Sequence, residues 1–125
     1  MTSAKILSLT DESYPYLLRQ IAKPPDRLYY KGNSSLLQKS CISIVGTRKN
    51  SDYGEEMTRK IIEGLSLLDI CIVSGLAKGI DTIAHESALE NNLPTIAVLG
   101  SGINNIYPTE NIALAEKILA AKRSP

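Results

Sequence analysis

One stretch decides the fold: Ile72-Val73-Ser74-Gly75-Leu76-Ala77-Lys78-Gly79-Ile80-Asp81-Thr82-Ile83-Ala84-His85. A short apolar, β-branched run ends at Ser74, and glycines follow at positions 75 and 79. Apolar residues then recur with helical spacing from Ile80 onward. This order predicts a strand, a tight loop and a helix.

The junction between this loop and its helix is suited to an anion. Backbone N–H groups in the first turn of a helix have no carbonyl partners, and the helix dipole adds partial positive charge there. Gly75 and Gly79 would let the backbone approach a phosphate closely, and Lys78 could add a full positive charge. In a competing interpretation, Gly79 only enables the turn and Asp81 only caps the helix.

From Cys41 onward, buried strands alternate with amphipathic helices. The predicted strands cover residues 41–45, 70–74 and 95–99, and a helix follows each of them. Such alternation is typical of a parallel sheet. The sequence therefore predicts an α/β fold, a Rossmann-like three-layer parallel sheet with the β-α unit repeated three times. We place this partial Rossmann-like domain at residues 41–121 and a tail at residues 122–125.

The predicted helices have specific apolar faces. In the first main helix this face comprises Met57, Ile61, Ile62, Leu65 and Leu68, and in the last helix, residues 109–121, it comprises Ile112, Ala115, Ile118 and Leu119. Residues 1–40 form a predicted N-terminal extension, packed on the main sheet, with a helix at 13–22 and a strand at 28–31. The stripe of that short helix is Tyr14, Leu17, Leu18 and Ile21.

Three loops should meet at one edge of the sheet, because the carboxyl ends of parallel strands lie on the same side. The edge would present cationic side chains (Arg48, Lys49 and Lys78), hydroxyl groups and backbone N–H groups. These donors suit a phosphate better than a metal or an acyl substrate. The predicted phosphate-binding residues are Gly46, Thr47, Arg48, Ser74, Gly75, Lys78, Gly79, Gly100, Ser101 and Gly102.

Charge and cysteine content narrow the function classes. The 125 residues include 14 Lys+Arg and 13 Asp+Glu, so the net charge gives no overall attraction to DNA. Any affinity for DNA would have to come from basic residues clustered on one part of the surface. Cys41 and Cys71 lie in apolar runs without CxxC spacing, which predicts buried free thiols in a reducing compartment and no zinc site.

No stretch has the length of a signal peptide or a membrane span. We expect a cytoplasmic protein without membrane contact.

The motifs of several enzyme classes are missing. The first loop lacks GxGxxG, and the second strand ends in Ser74 rather than in an acid, which argues against a dinucleotide dehydrogenase. No GxxxxGK[ST] motif occurs, which excludes P-loop NTPases. Ser74 is not in a GxSxG elbow, so a hydrolytic triad with Asp81 and His85 is disfavoured. We expect no enzymatic activity and no cofactor.

Three aromatic side chains near the loops have open roles. His85, four residues after Asp81, is expected to pack and hydrogen-bond near the loop, with Asp81 capping its helix; direct ligand contact of His85 is the alternative. Tyr53 and Tyr107 flank the glycine loops. They could stack on bases or brace the loops by packing.

Seven stretches, in this order and spacing, resemble one protein family. They are Tyr14-Pro15-Tyr16-Leu17-Leu18, Pro24-Pro25 with Leu28-Tyr29-Tyr30-Lys31-Gly32, Ile44-Val45-Gly46-Thr47-Arg48, Ser51-Asp52-Tyr53-Gly54, Val73–Asp81, Ala84-His85, and Ala97–Gly102 with Tyr107-Pro108. The family is DNA-processing protein A, also called DprA/Smf, of bacterial recombination mediators. The resemblance covers roughly residues 14–114.

The resemblance implies an extended Rossmann-like domain that binds single-stranded DNA. It further implies protection of incoming strands and loading of the RecA recombinase during natural transformation. Arg48 would contact DNA phosphate, and the glycine loops would line the same pocket. The family is not known for an enzymatic reaction or a nucleotide cofactor. The residues alone indicate phosphate binding but do not select DNA.

The sequence departs from the family pattern after the last predicted helix. The family continues with further strands and basic groups, whereas this chain ends Ala120-Ala121-Lys122-Arg123-Ser124-Pro125. The first strand of a doubly wound sheet is normally central, so residues 41–45 would be an exposed edge unless the strand near Tyr29 or another copy covers them. We expect a truncated chain with impaired DNA binding, and either self-association or marginal stability.

Two alternatives to DNA binding follow from the same residues. The three glycine loops also fit a Rossmann-like module that binds a nucleotide or a phosphosugar. The chain could equally be an inactive fragment.

Overall fold

The computed structural model describes residues 4–121, which form two sheets. The strands are β1 (Lys5–Ser8), β2 (Arg27–Tyr30), β3 (Cys41–Ser43), β4 (Cys71–Ser74) and β5 (Thr95–Ala97). The α-helices are α1 (Tyr16–Arg19), α2 (Asp52–Leu65), α3 (Ile80–Glu90) and α4 (Ile112–Ala120), and 3-10 turns cover Ser34–Gln38 and Thr109–Asn111. The predicted tail, residues 122–125, lies outside the described residues.

The main sheet is parallel, with the strand order β3-β4-β5. Cys41 is paired with Cys71 in the register of the first two strands, and Ile72 is paired with Thr95 in the register of the last two. A helix follows each of the three strands. The predicted α/β, Rossmann-like fold class with a parallel sheet is confirmed.

The core lies between the main sheet and the pair α2 and α3, which pack against each other. It comprises Ile62, Ile72, Ala84, Ala88 and Leu93. The polar residues Asp81, His85 and Ser87 of α3 are buried as well. Of these, Asp81 contacts the loops at the carboxyl edge of the sheet, whereas His85 contacts Thr95 at the start of β5.

Four residues predicted to face inward are exposed: Ile61, Leu68, Ile112 and Leu119. Helix α2 buries only the narrow stripe of Thr58 and Ile62 and ends before Leu68. In the last helix a 3-10 turn precedes α4 and shifts its phase, so that Leu114 is the buried residue. The amphipathic helices were predicted correctly, and Ile62 is buried while Met57, Leu65, Ala115 and Ile118 are half-buried as expected. The predicted faces were too wide, and the buried Leu114 was missed.

The N-terminal extension forms a sheet of its own. Strand β1, which the sequence did not predict, pairs antiparallel with β2, and neither joins the main sheet. The predicted helix at 13–22 is wrong in extent, since α1 is a single turn. Tyr14 lies before α1, and its hydroxyl donates to the Pro25 carbonyl at 2.8 Å. Tyr14 is buried, but Leu17 and Ile21 are exposed, so the predicted stripe is wrong.

Strand β3 is an edge strand. Among residues 4–121 its one partner strand is β4, and all three of its residues are exposed. Cys41 is consequently exposed, contrary to expectation, while Cys71 on the central strand is buried. No helix of the described part is long and apolar enough to cross a bilayer.

Candidate functional site

The loops that follow β3 and β4 are in direct contact. Gly79, with φ of +81°, lies against the backbone of the first loop. A Cβ at this position would overlap the Thr47 carbonyl oxygen and would lie 2.8 Å from Arg48 Cα. The Ile80 N–H donates to that same Thr47 carbonyl at 3.1 Å. Glycine is therefore required at position 79 for the close approach of the two loops as well as for the turn.

A buried carboxylate links these two loops. Asp81 Oδ1 accepts a hydrogen bond from the Gly46 N–H at 3.3 Å, and Oδ2 accepts one from the Gly75 N–H at 3.1 Å. A Cβ at Gly75 would lie 2.8 Å from Oδ2. The prediction that Asp81 caps α3 is wrong: Gly79 is the N-cap residue, and the Asp81 carboxylate binds across the two strands instead. We call Asp81 with these two amides the carboxylate bridge.

The carboxylate bridge decides where an external anion can bind. The amides of Gly46 and Gly75 already donate to Asp81 and are not available to a phosphate. Within residues 4–121, the amides of Thr47 and Arg48 donate to no acceptor, and the Arg48 side chain is exposed and forms no ion pair. The Lys49 N–H donates to Thr47 Oγ1 at 3.2 Å and shapes this loop. The open donors thus cluster at residues 47–48.

Two other predicted site residues, Lys78 and Ser74, are less available to a phosphate than Arg48. The exposed ammonium of Lys78 forms an ion pair with Glu110 Oε2 at 3.0 Å, and its hydrogen bond lowers the pKa of the Glu110 carboxyl. Part of the Lys78 charge is therefore neutralised. Ser74 is buried, so its hydroxyl lies beneath the edge rather than on it.

The third loop is connected to the others only at its base. The Val98 N–H donates to the Ser74 carbonyl at 2.9 Å, which extends the pairing of β5 with β4. Further out, positions 100 and 102 have open space around them, and Gly102 has φ of +91°. Ser101 Oγ donates to the Asn105 carbonyl within the loop at 2.7 Å. The structure therefore brings the first two loops together and leaves the tip of the third apart.

Asn111 is a positioning residue that the sequence did not reveal. Its buried Nδ2 donates to the Leu76 carbonyl at 2.8 Å and to Thr82 Oγ1 at 2.9 Å. Leu76 is fully buried and has φ of +61°, a conformation that is costly for a residue with a side chain. From the turn that precedes α4, Asn111 thus holds the second loop in place through its carbonyl at Leu76. The signal in the sequence was its position: a polar side chain on the inward side of the last helical segment indicates a buried hydrogen bond.

His85 is buried behind the site and does not face a ligand. Thr95 Oγ1 donates to the Ile72 carbonyl at 2.9 Å, so its contact with His85 Nδ1 at 2.8 Å requires a protonated Nδ1. Burial lowers the pKa of His85 to about 4, despite the opposing effect of Asp81. His85 is bonded to Thr95 rather than to Asp81 or Ser74, so the three residues do not form a hydrolytic triad.

The two flanking tyrosines are exposed. Tyr53, in the first turn of α2, and Tyr107, before Pro108, each have 69% of their surface exposed. Bracing by packing does not describe either of them. Within the part of the chain that the structure describes, no three His, Cys, Asp or Glu side chains are grouped to hold a metal ion. The edge therefore combines a basic loop with exposed aromatic rings.

These features define a Rossmann-like α/β protein whose sheet edge presents a rigid basic loop. The family model for DNA recombination-mediator protein A matches residues 5–123, and the chain belongs to this family.

Two curated relatives support this assignment. The chain is 45% identical to DNA processing protein DprA of Streptococcus pneumoniae over 111 residues and 47% identical to Protein Smf of Synechocystis over 120 residues. These alignments cover 89% and 93% of this chain but only 39% and 30% of the relatives. The chain thus spans at most two fifths of their length.

Solved structures of the family have the same fold. The X-ray structure of the Streptococcus pneumoniae protein matches with a TM-score of 0.87 at 44% identity, over 91% of this chain and 40% of that one. DNA processing protein A of Helicobacter pylori, described with a unique single-stranded DNA binding mode, matches with a TM-score of 0.81 at 31% identity. That match covers 94% of this chain and 52% of the other.

Proposed function

We propose that the chain binds single-stranded DNA at the loop after β3, with Arg48 contacting a backbone phosphate. The observation that carries this proposal is the exposed side chain of Arg48 on a loop whose backbone is hydrogen-bonded to the start of α3. The backbone just before it is held by two hydrogen bonds, from the Gly46 N–H to Asp81 and from the Ile80 N–H to the Thr47 carbonyl. The Arg48 side chain itself is exposed and has no ion-pair partner within residues 4–121. An exposed guanidinium beside open backbone amides is suited to a phosphate.

Exposed aromatic residues support DNA over a small anion. Tyr53 lies five residues after Arg48, and its ring is available for stacking on a base. Membership in a DNA-processing family and the single-stranded DNA binding of the Helicobacter pylori relative point the same way. Gly46, Thr47, Gly75 and Gly79 would shape the site, with Lys78, Ser74, Gly100, Ser101 and Gly102 at its margin.

The wider role follows from the family and remains part of the proposal. We infer a recombination mediator in the cytoplasm that helps to load RecA during natural transformation and has no enzymatic activity or cofactor. Homo-oligomerisation is supported by the exposed edge strand β3. Because the chain spans at most two fifths of its curated relatives, each of these activities needs a direct test.

An NMR titration with a short oligo-dT tests the location of the site. We expect the largest amide shifts at residues 47–49 and smaller ones at Tyr53. Largest shifts in the N-terminal sheet, or none at low salt, would contradict the proposal.

A nucleotide or phosphosugar site is the second candidate, because three glycine loops are present at the sheet edge. Addition of dTMP in place of the oligonucleotide distinguishes the two. If dTMP alone shifts the same amides and raises the melting temperature, the small-molecule function is favoured. If only the oligonucleotide does so, DNA binding is favoured.

A further inference from the structure

The two cysteines of the chain face each other across neighbouring strands. Cys41 of β3 and Cys71 of β4 are direct partners in the parallel register. The Cα atoms of such partners are about 4.8 Å apart, which lies inside the range of roughly 4.4–6.8 Å at which disulfides form. Paired residues in neighbouring parallel strands also project to the same face of the sheet.

Their accessibility differs sharply. Cys41 is exposed because β3 is an edge strand, whereas Cys71 is completely buried on the central strand. A reagent in solution can therefore react with Cys41 but not with Cys71. Cys71 can react only with its neighbour Cys41. Both are free thiols.

The thiols also interact with each other. Burial raises the pKa of Cys71 to about 12, and the neighbouring Cys41 contributes to that rise. Burial likewise raises the pKa of Cys41, which a hydrogen bond with Cys71 partly offsets. Cys41 also donates its S–H to the Lys39 carbonyl at 3.3 Å. Both groups are mainly protonated at neutral pH, so their reaction is slow rather than spontaneous.

We propose that Cys41 and Cys71 form a redox-active pair, in which Cys41 reacts with a small-molecule disulfide and Cys71 resolves the product. The Cys41 thiolate attacks one sulfur of the small disulfide, forms a mixed disulfide and releases one thiolate. The Cys71 thiolate then attacks the Cys41 sulfur and releases the second thiol. Two protein thiols are oxidised, and one small disulfide is reduced to two thiols.

This disulfide would join the edge strand to the centre of the sheet. Strand β3 leads directly into the loop of Arg48, and β4 leads into the loop of Gly75 and Gly79. Because Cys41 and Cys71 are the first residues of their strands, the cross-link lies at the amino ends of β3 and β4, and the two loops of the candidate site follow the carboxyl ends of the same strands. A reductant in solution can attack this disulfide at the exposed Cys41 sulfur, and accessible disulfides belong to the class that is readily reduced, so the modification is reversible.

Incubation of the full chain with oxidised glutathione tests this inference independently of DNA binding. Intact-mass spectrometry should show a monomer about 2 Da lighter, with both thiols lost and both restored by dithiothreitol. Cys71→Ala should stop at a single glutathione adduct on Cys41. Cys41→Ser, which retains only the buried thiol, should not react while folded.

Other products would overturn the inference. A wild-type chain that accumulates the glutathione adduct or a covalent dimer, without the lighter monomer, lacks a resolving thiol at Cys71. A Cys41→Ser variant that reacts as fast as the wild type would contradict the assigned order of attack. The wild-type mass decides the matter even if Cys71→Ala does not fold.

Discussion

The carboxylate of Asp81 accepts a hydrogen bond from the amide of Gly46, 35 residues earlier in the chain, at 3.3 Å. Its other oxygen binds the Gly75 amide, so one buried side chain holds the loops of two strands together. The backbone N–H groups of Gly46 and Gly75, which could otherwise donate to a phosphate, thus donate to Asp81 inside the protein. The adjacent Arg48 loop remains open to a ligand.

Asp81→Asn should destabilise the chain because an amide replaces one acceptor with a donor that faces a backbone N–H. We expect the free energy of unfolding to fall by about 1–3 kcal/mol, as measured by urea denaturation. Asp69→Asn is the matched control: this exposed carboxylate pairs with Lys39 at 2.8 Å, and its loss should matter by less than about 1 kcal/mol. Equal effects of the two substitutions would argue against the carboxylate bridge.

Gly79→Ala should displace the first loop or prevent folding. The added methyl group would overlap the Thr47 carbonyl oxygen, in addition to the strain of φ at +81°. Gly102→Ala separates these causes, because Gly102 has a similar φ of +91° but open space around it. In urea denaturation, we expect the free energy of unfolding to fall by about 1–2 kcal/mol for Gly102→Ala. The fall should be clearly larger for Gly79→Ala. Similar losses would show that backbone strain alone explains the effect.

His85 should stay mainly neutral in the folded chain down to about pH 4. Its folded pKa of about 4 lies below the ordinary value of 6.5, so protons favour the unfolded state. This group should lower the free energy of unfolding by up to about 1.4 kcal/mol per pH unit as pH falls from 6.5 towards 4. Below pH 4 it should contribute no further loss.

NMR checks this directly, since His85 is the only histidine. Its ring signals should not change between pH 8 and pH 5.5. A titration midpoint near 6.5 in the folded protein would contradict the burial and the Nδ1–H bond to Thr95.

Strand β3 should promote self-association through its free edge. The Ile44 N–H donates to Val73 of β4, so the N–H of Ser43, one residue earlier, points away from β4 in a parallel ladder. Ser43→Pro removes that outward donor and leaves the pairing with β4 intact. We expect light scattering to show a mass that rises with concentration for the wild type and for Ser43→Ala, but not for Ser43→Pro. A strictly monomeric wild type would exclude association through β3.

The sequence predicted the fold class because its signals were local. The glycines after the strands that end near Val45 and Ser74, and the alternation of apolar runs, depend only on short segments. Strand β1 was missed because Lys5–Ser8 is short and gains its stability from pairing with β2. The helix faces were misplaced because burial depends on which neighbour each helix contacts.

The site was predictable only in part, for a similar reason. The convergence of the loops after β3 and β4 followed from the topology of a parallel sheet. The role of Asp81 did not, since a carboxylate in the first turn of a helix normally indicates a cap. Asn111 joins segments 35 residues apart in sequence; its place on the inward side of the last helical segment indicated burial, but no local pattern identifies Leu76 as its partner.

The most direct test is the fluorescence anisotropy of a labelled oligo-dT titrated with the wild type, Arg48→Ala and Arg27→Ala at two salt concentrations. Arg27 is an exposed arginine in β2 and matches the change in charge. We expect salt-sensitive binding that Arg48→Ala weakens about tenfold and that Arg27→Ala leaves nearly unchanged. Equal weakening by both substitutions, or no binding by a folded wild type at low salt, would contradict a DNA site at the Arg48 loop.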